Sequence, residues 1–67
     1  MTYTVKKQIK TFNSKRVIET FAYDHLCKVK IETGDVFHEC TFTSRNINAI
    51  EELADQLDVP YSEIKSK

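Results

Sequence analysis

The chain has 67 residues, of which 40% are hydrophobic, and its ten basic residues balance its ten acidic ones. This apolar content, with one Gly and one Pro, excludes a disordered chain, and no apolar run approaches the ~18 residues of a transmembrane helix. We therefore expect one small globular domain over residues 1–67, without a membrane segment.

The neutral total hides a segregation of charge along the chain. Residues 1–30 carry seven basic and two acidic residues, whereas residues 31–67 carry three basic and eight acidic ones. Such a chain can offer a basic surface, an acidic surface, or each to the other in a homodimer. With two cysteines and no apolar leader after Met1, we expect free thiols and a cytoplasmic location.

The first predicted element is a strand over residues 3–12, because Tyr3, Val5 and Ile9 alternate with polar residues. After a polar turn at residues 13–15, the alternation resumes over residues 17–31 and predicts one long strand. At ~3.3 Å per residue this strand would span about 50 Å, which is too long for a globule of this size. We therefore expect a sharp bend near Asp24.

Gly34 and Asp35 predict the next turn, in which Gly34 is free to take a positive φ. This turn leads into a third strand over residues 36–43 and sets Ile31 opposite His38. From an N-cap at Ser44 or Asn46, the apolar period becomes helical and continues until Pro60. The predicted fold class is α+β: a three-stranded, strongly bent antiparallel sheet with one C-terminal helix packed on one face (β-β-β-α).

Two His-x-Cys pairs stand on either side of the predicted turn: His25 with Cys27, and His38 with Cys40. Four such ligands could hold zinc, but they share their faces with Val, Ile and Phe, and zinc turns usually supply Cys-x2-Cys. A disulfide would need the alternative turn at Thr33–Gly34, which sets the two cysteines directly opposite. We expect core residues, with no metal and no cofactor.

No Gly-rich loop, paired-carboxylate cleft or second domain is present to form a substrate pocket. We therefore predict that the protein is not an enzyme. Two charged surfaces remain as candidate sites. The first is an acidic stripe on the predicted helix that would bind a partner protein, and it comprises Glu51, Glu52, Asp55 and Asp58. The second is a basic face of the predicted sheet that would bind nucleic acid, and it comprises Lys6, Lys10, Arg16, Lys28 and Lys30.

Residues 50–64 resemble the helix-turn-helix motif of DNA-binding proteins. Ala54 matches the small residue of the first helix, Val59 the apolar turn residue, and Ile64 the inward residue of the second helix. The resemblance implies a second helix after Pro60 that would enter a DNA groove. Asp58, however, stands where the family usually has Gly.

In size and composition the chain looks like the small accessory proteins of phages and mobile elements, which bind one host protein and alter its activity. The leading prediction is therefore a protein-binding modulator or inhibitor that acts on a host protein as a homodimer. The alternative is a nucleic-acid-binding protein that uses the basic sheet face or the helix-turn-helix-like segment.

Overall fold

The computed structural model describes residues 1–66 as a four-stranded antiparallel sheet with two helices on one face. The order along the chain is β1 (Tyr3–Lys10), α1 (Lys15–Asp24), β2 (Lys28–Thr33), β3 (Phe37–Ser44), α2 (Ile47–Gln56), a 3-10 turn (Tyr61–Glu63) and β4 (Lys65–Ser66). The strands are arranged as β2-β3-β1-β4. This connectivity is the split β-α-β, or ferredoxin-like, arrangement, a term that describes topology and assigns no function.

The helix α1 corrects the prediction of one long bent strand over residues 17–31. Ile18, Phe21, Ala22 and His25 follow the i, i+3, i+4, i+7 spacing of a helix, and Ile18 and Ala22 are buried against the sheet. Val17 and Tyr23, which suggested the strand, are 58% and 80% exposed. The α+β class was right, but three strands and one helix were wrong, because residues 15–24 form a helix and residues 65–66 form a strand.

Both helices begin and end in the same way. The side chains of Ser14 and Asn46 cap the first turns by accepting backbone N–H groups from Val17 and Asn48. Each helix then ends in a Schellman motif, with one residue in the left-handed region. At the end of α1 this residue is Leu26 (φ 58°), and at the end of α2 it is Asp58 (φ 56°).

The next residue in each motif turns back into the core. The Cys27 N–H donates to the Ala22 carbonyl at 2.8 Å, and the Val59 N–H donates to the Ala54 carbonyl at 2.9 Å. All four of these residues are buried. The sharp bend that was expected near Asp24 is therefore the end of a helix, not a bend in a strand.

The predicted register of the β2–β3 hairpin was wrong by two residues. Ile31 pairs with Cys40, not with His38, and Val29 pairs with Phe42. The Gly34 N–H donates to the Phe37 carbonyl at 2.9 Å, so the turn is centred on Asp35 and Val36, one residue later than predicted. Gly34 has no positive φ; a Cβ there would lie 3.1 Å from the Phe37 carbonyl oxygen.

The helix-turn-helix resemblance is not matched by the structure after α2. This helix ends at Gln56, and the segment after Pro60 makes a three-residue 3-10 turn before β4 pairs with β1. A recognition helix needs several turns to reach into a groove. The C-terminal segment of the described chain therefore completes the sheet edge and cannot read DNA as that motif does.

Candidate functional site

The sheet face that points away from the helices carries lysines from three strands. Paired residues of antiparallel strands share a face, so the register places these side chains together. They are Lys6 and Lys10 of β1, Lys28 and Lys30 of β2, and Lys65 of β4. All five are exposed. The first four were predicted for this face, whereas Lys65 was missed because a two-residue strand leaves almost no pattern in the sequence.

Threonines fill the space between four of these lysines. One row across the sheet runs Lys65, Thr4, Thr43, Lys28, and the next row runs Lys6, Thr41, Lys30. Strands lie about 4.8 Å apart, so the four-residue row is about 14 Å wide. We call these seven residues the lysine–threonine patch; its threonines are half-buried, and its lysines extend into solvent.

The patch continues into a groove at the end of the sheet. Lys28 and Thr43 belong to both, and Arg45 adds a second cationic side chain to the groove. The groove has a volume of about 600 Å³ and is also lined by Thr2, Ser44 and Leu26. The patch and the groove together offer five cationic groups and several hydroxyl groups on a continuous surface.

Acidic residues bound the patch on its other side. Glu39 pairs with Glu32 on β2 and with Gln8 on β1, and the Gln8 amide donates to the Glu39 carboxylate at 2.7 Å. Beyond this row Lys10 pairs with Phe37, whose side chain is 37% exposed. Phe37 is the aromatic residue that β1 to β4 present on this face.

Arg16 does not belong to the basic face, which corrects its prediction. It lies in the first turn of α1, and α1 packs on the opposite face of the sheet. The error follows from the missed helix, because the alternation of side chains between two faces applies to a strand and not to the helix that residues 15–24 form.

The predicted acidic stripe is divided by its surroundings. The Tyr61 hydroxyl donates to Asp55 Oδ2 at 2.7 Å, and this hydrogen bond raises the pKa of Tyr61 above its usual value. Glu51 is half-buried, and Asp58 lies in the Schellman motif after the helix. Glu52 faces a groove shared with the end of α1. Asp55 therefore tethers the C-terminal segment, and the stripe is not one uniform surface.

The two histidines make separate structural contacts. His38 Nε2 donates to the Asn13 carbonyl at 2.8 Å, so in the neutral ring Nδ1 accepts from the Thr33 hydroxyl at 3.0 Å. His25 Nδ1 lies 2.9 Å from the Phe21 carbonyl oxygen, and its ring packs on the Phe21 ring with centroids 4.5 Å apart. The His38 ring thereby joins β3 to β2 and to the loop before α1, whereas the His25 ring packs on the last turn of its own helix.

The two cysteines are buried and free. Extending the β2–β3 register places Cys27 beside Ser44, four residues along β3 from Cys40, or about 13 Å. This separation is too long for a disulfide. Burial raises the pKa of both thiols, so they stay protonated near neutral pH. In residues 1–66, no three His, Cys, Asp or Glu side chains are placed to share a metal ion.

Neither helix in the described part of the chain has the length and apolar character needed to cross a bilayer. Comparison of the chain with protein-family models, with curated proteins and with solved structures gives no significant match.

Proposed function

We propose that this protein is a non-enzymatic, single-stranded nucleic-acid-binding protein that uses the open face of its sheet. The observation that carries the proposal is the lysine–threonine patch, in which four lysines surround three threonines on the face opposite to α1 and α2. Lysine ammonium and threonine hydroxyl groups are both common donors to phosphate oxygens. Arg45 extends the same chemistry around the end of the sheet.

The shape of the surface favours a single strand over a duplex. An open sheet face accepts splayed nucleotides, whereas duplex DNA is read by an element that enters a groove. Phe37 at the far end of the face supplies one ring on which a base can stack. One aromatic ring and several cations predict binding that tolerates many sequences and depends strongly on salt.

The first test of the proposal is how the binding constant for single-stranded nucleic acid depends on salt concentration. If about five phosphates are neutralised, log K should fall with log salt with a slope of about −3 to −4 for a single strand. Fluorescence anisotropy with labelled poly-dT and mixed RNA oligonucleotides, between about 50 and 200 mM salt, measures this slope. A wild-type protein that binds neither oligonucleotide at low salt would contradict the proposal.

Paired charge reversals test the location of the site. Lys6→Glu with Lys28→Glu should abolish binding, because both side chains lie in the patch. The control is Lys15→Glu with Arg16→Glu, which changes the net charge equally on exposed positions of α1. The control should retain most of the affinity. Equal losses in the two variants would show that net charge, not the patch, causes binding.

A second candidate is the protein-binding modulator, and one observation favours it. The acidic residues Glu51 and Glu52 lie on α2, on the opposite side of the molecule from the patch, so the protein has two separate charged surfaces. The acidic one fits a basic surface of a host protein. Glu51→Lys with Glu52→Lys should abolish capture of such a partner from lysate, whereas Lys6→Glu with Lys28→Glu should not.

We also propose that the protein works as a homodimer in a reducing cytoplasm. A domain of this size buries little core, and within residues 1–66 no strand pairs with the outer side of β2, which a second copy can cover. The two buried thiols persist in their reduced form in that compartment.

A further inference from the structure

The β2 strand forms one edge of the sheet, and hydrogen bonds in the neighbouring loop show which of its backbone groups point outward. The Gly34 N–H donates to the Phe37 carbonyl in the same register as the β2–β3 ladder. Hydrogen-bonded pairs alternate along antiparallel strands. Lys28, Lys30 and Glu32 therefore direct their backbone groups towards β3.

The backbone groups of the other β2 residues point away from the edge of the sheet. These residues are Val29, Ile31 and Thr33, whose N–H and C=O groups face away from the sheet. An independent bond on the other side of β3 agrees with this phase, because the Thr11 N–H donates to the Val36 carbonyl at 2.9 Å. Even-numbered residues of β3 thus bond to β1, and odd-numbered residues bond to β2.

The opposite edge of the sheet is better protected. The β4 strand covers Tyr3 and Thr4 of β1, and Pro60 and Glu63 flank Lys6 and Gln8 further along that strand. Within residues 1–66, by contrast, no strand pairs with the outer side of β2 along any part of its length.

We propose that β2 pairs antiparallel with β2 of a second copy, centred on Ile31, to form a continuous eight-stranded sheet. This inference rests on the proposed homodimer and is independent of the proposed nucleic-acid ligand. The pairing must join outward-facing residues, so Ile31 faces Ile31 of the second copy, and Val29 faces Thr33 at each end. Lys30 then lies opposite Glu32 of the second copy, twice across the interface.

The charges select this register among the neighbouring ones. Centring the pair on Val29 sets Lys28 against Lys30, and centring it on Lys30 sets Lys30 against itself. Centring it on Glu32 sets Glu32 against itself. Like charges that are directly opposite destabilise a strand pair, and opposite charges stabilise it. Lysines on an edge strand commonly prevent pairing with another strand. Here the lysines disfavour the other registers, whereas Glu32 allows the register centred on Ile31.

The geometry of this register keeps the helices of both copies on the same side of the extended sheet. The residues that pair across the interface have odd numbers in both copies, and odd-numbered side chains of β2 lie on the apolar face. The apolar face of one β2 therefore continues into the apolar face of the other. Half-buried Val29 and Ile31, which already pack against the core, gain further apolar contact. The two lysine–threonine patches likewise lie on one continuous face.

Charge reversal and exchange test the interface in the absence of nucleic acid. Sedimentation equilibrium of wild-type protein at about 100 μM should show a dimer, a concentration typical for weak association. Lys30→Glu should be monomeric, because Glu at position 30 then lies opposite Glu32 of the second copy on both sides of the interface. Glu32→Lys should also be monomeric, because it sets Lys opposite Lys30 in the same way. The double variant Lys30→Glu with Glu32→Lys should recover the dimer.

Mixing the two single variants provides a sharper readout. A Lys30→Glu copy and a Glu32→Lys copy place acidic residues opposite basic ones throughout, so they should form a heterodimer although neither forms a homodimer. The control is Lys15→Glu, which changes the charge of the exposed surface of α1 and should leave the wild-type dimer unchanged. Circular dichroism should be the same for all variants, since both substituted side chains are exposed.

Disulfide formation tests the register directly. Lys30 and Glu32 of the second copy form a non-hydrogen-bonded pair with a Cα separation of about 4.5 Å, which suits a disulfide. An oxidised mixture of Lys30→Cys and Glu32→Cys variants should yield the mixed dimer, and each variant alone should yield little. Wild-type protein is the control, because Cys27 and Cys40 are buried.

Two results would overturn the inference in distinguishable ways. A wild-type monomer at this concentration would reject both the dimer and its interface. A wild-type dimer that persists in Lys30→Glu and Glu32→Lys would reject the β2 interface and retain the dimer.

Discussion

The two helices have the same length and similar caps, but they contribute differently to the core. The α2 helix buries Ala49, Ile50, Leu53 and Ala54 and contacts the two central strands, β1 and β3. The α1 helix buries Ile18 and Ala22 and contacts mainly the edge strand β2. Similar local structure therefore supports two regions of unequal stability, and position over the sheet decides which is stronger. We expect α1 with β2 to open more readily than α2 with β1 and β3.

Matched truncations should give the largest difference between the two helices. Ile50→Ala should lower the free energy of unfolding by about 4 kcal/mol, and Ile18→Ala by about 2.5 kcal/mol. Ile50 is completely buried over the sheet centre, where the surroundings cannot collapse into the cavity, whereas the site around Ile18 is nearer the edge. Urea denaturation followed by circular dichroism measures both values. Equal losses would contradict the unequal stability of the two regions.

The rates at which the two cysteines are alkylated should show the same difference in stability between the two regions. Cys27 follows the Schellman motif of α1, and Cys40 lies at the centre of β3. Both thiols are buried, so each reacts with iodoacetamide only after local opening exposes it. We expect Cys27 to react about tenfold faster, which corresponds to an opening free energy lower by about 1.4 kcal/mol. Peptide mass spectrometry at pH 8 distinguishes the two sites.

Glycine substitution should reveal the strain at the end of α1. Leu26→Gly should stabilise the fold by about 1 kcal/mol, because Leu at positive φ brings its Cβ close to a backbone oxygen. Asp58→Gly should stabilise it by only a few tenths of a kcal/mol, since Asp tolerates this region better. Thermal unfolding of both variants gives the comparison. A loss of stability in Leu26→Gly would show that the exposed leucine makes a contact that offsets its strain.

The Tyr61–Asp55 hydrogen bond should give the smallest effect, and it concerns only the α2 region. The pKa of Tyr61 is higher in the folded state than in the unfolded state, chiefly because its hydroxyl donates to Asp55. The bond therefore stabilises the fold below the unfolded pKa of 10.0 and is lost as the pH rises through the folded value. Tyr61→Phe should remove this part of the alkaline decrease, as a difference between two stability-pH curves. The two buried thiols, whose pKa values are also raised, should still contribute to the decrease in that variant.

The α2 helix could be predicted from the sequence because only one period fits it. Ile50, Leu53, Ala54 and Leu57 allow no strand reading. Residues 17–31 fit two periods, since Val17 and Tyr23 support a strand while Ile18 and Ala22 support a helix. The exposed apolar residues Val17 and Tyr23 strengthened the period-2 pattern of a strand, although the segment is a helix. The improbable strand length of about 50 Å was the physical signal of the error.

The shared face of four basic-face lysines was predicted correctly although the topology was not. Side-chain parity within a strand does not depend on which strands pair, so Lys6, Lys10, Lys28 and Lys30 reach the same face in both the predicted and the observed fold. Arg16 failed because parity has no meaning in a helix. The long-range arrangement that brings Lys65 and Arg45 to this surface depends on β4 and on the end of β3, and no local pattern specifies it.

The central pairing of the sheet also determines when each strand can form during folding. Partners in β1 and β3 are separated by between 27 residues (Lys10 with Phe37) and 41 residues (Tyr3 with Ser44). The β2–β3 hairpin closes a far shorter loop, in which Thr33 meets His38. Short loops close first because their entropic cost is lower. During synthesis, β1 therefore emerges early and stays unpaired until β3 has left the ribosome, and its apolar residues are exposed to other chains throughout that interval.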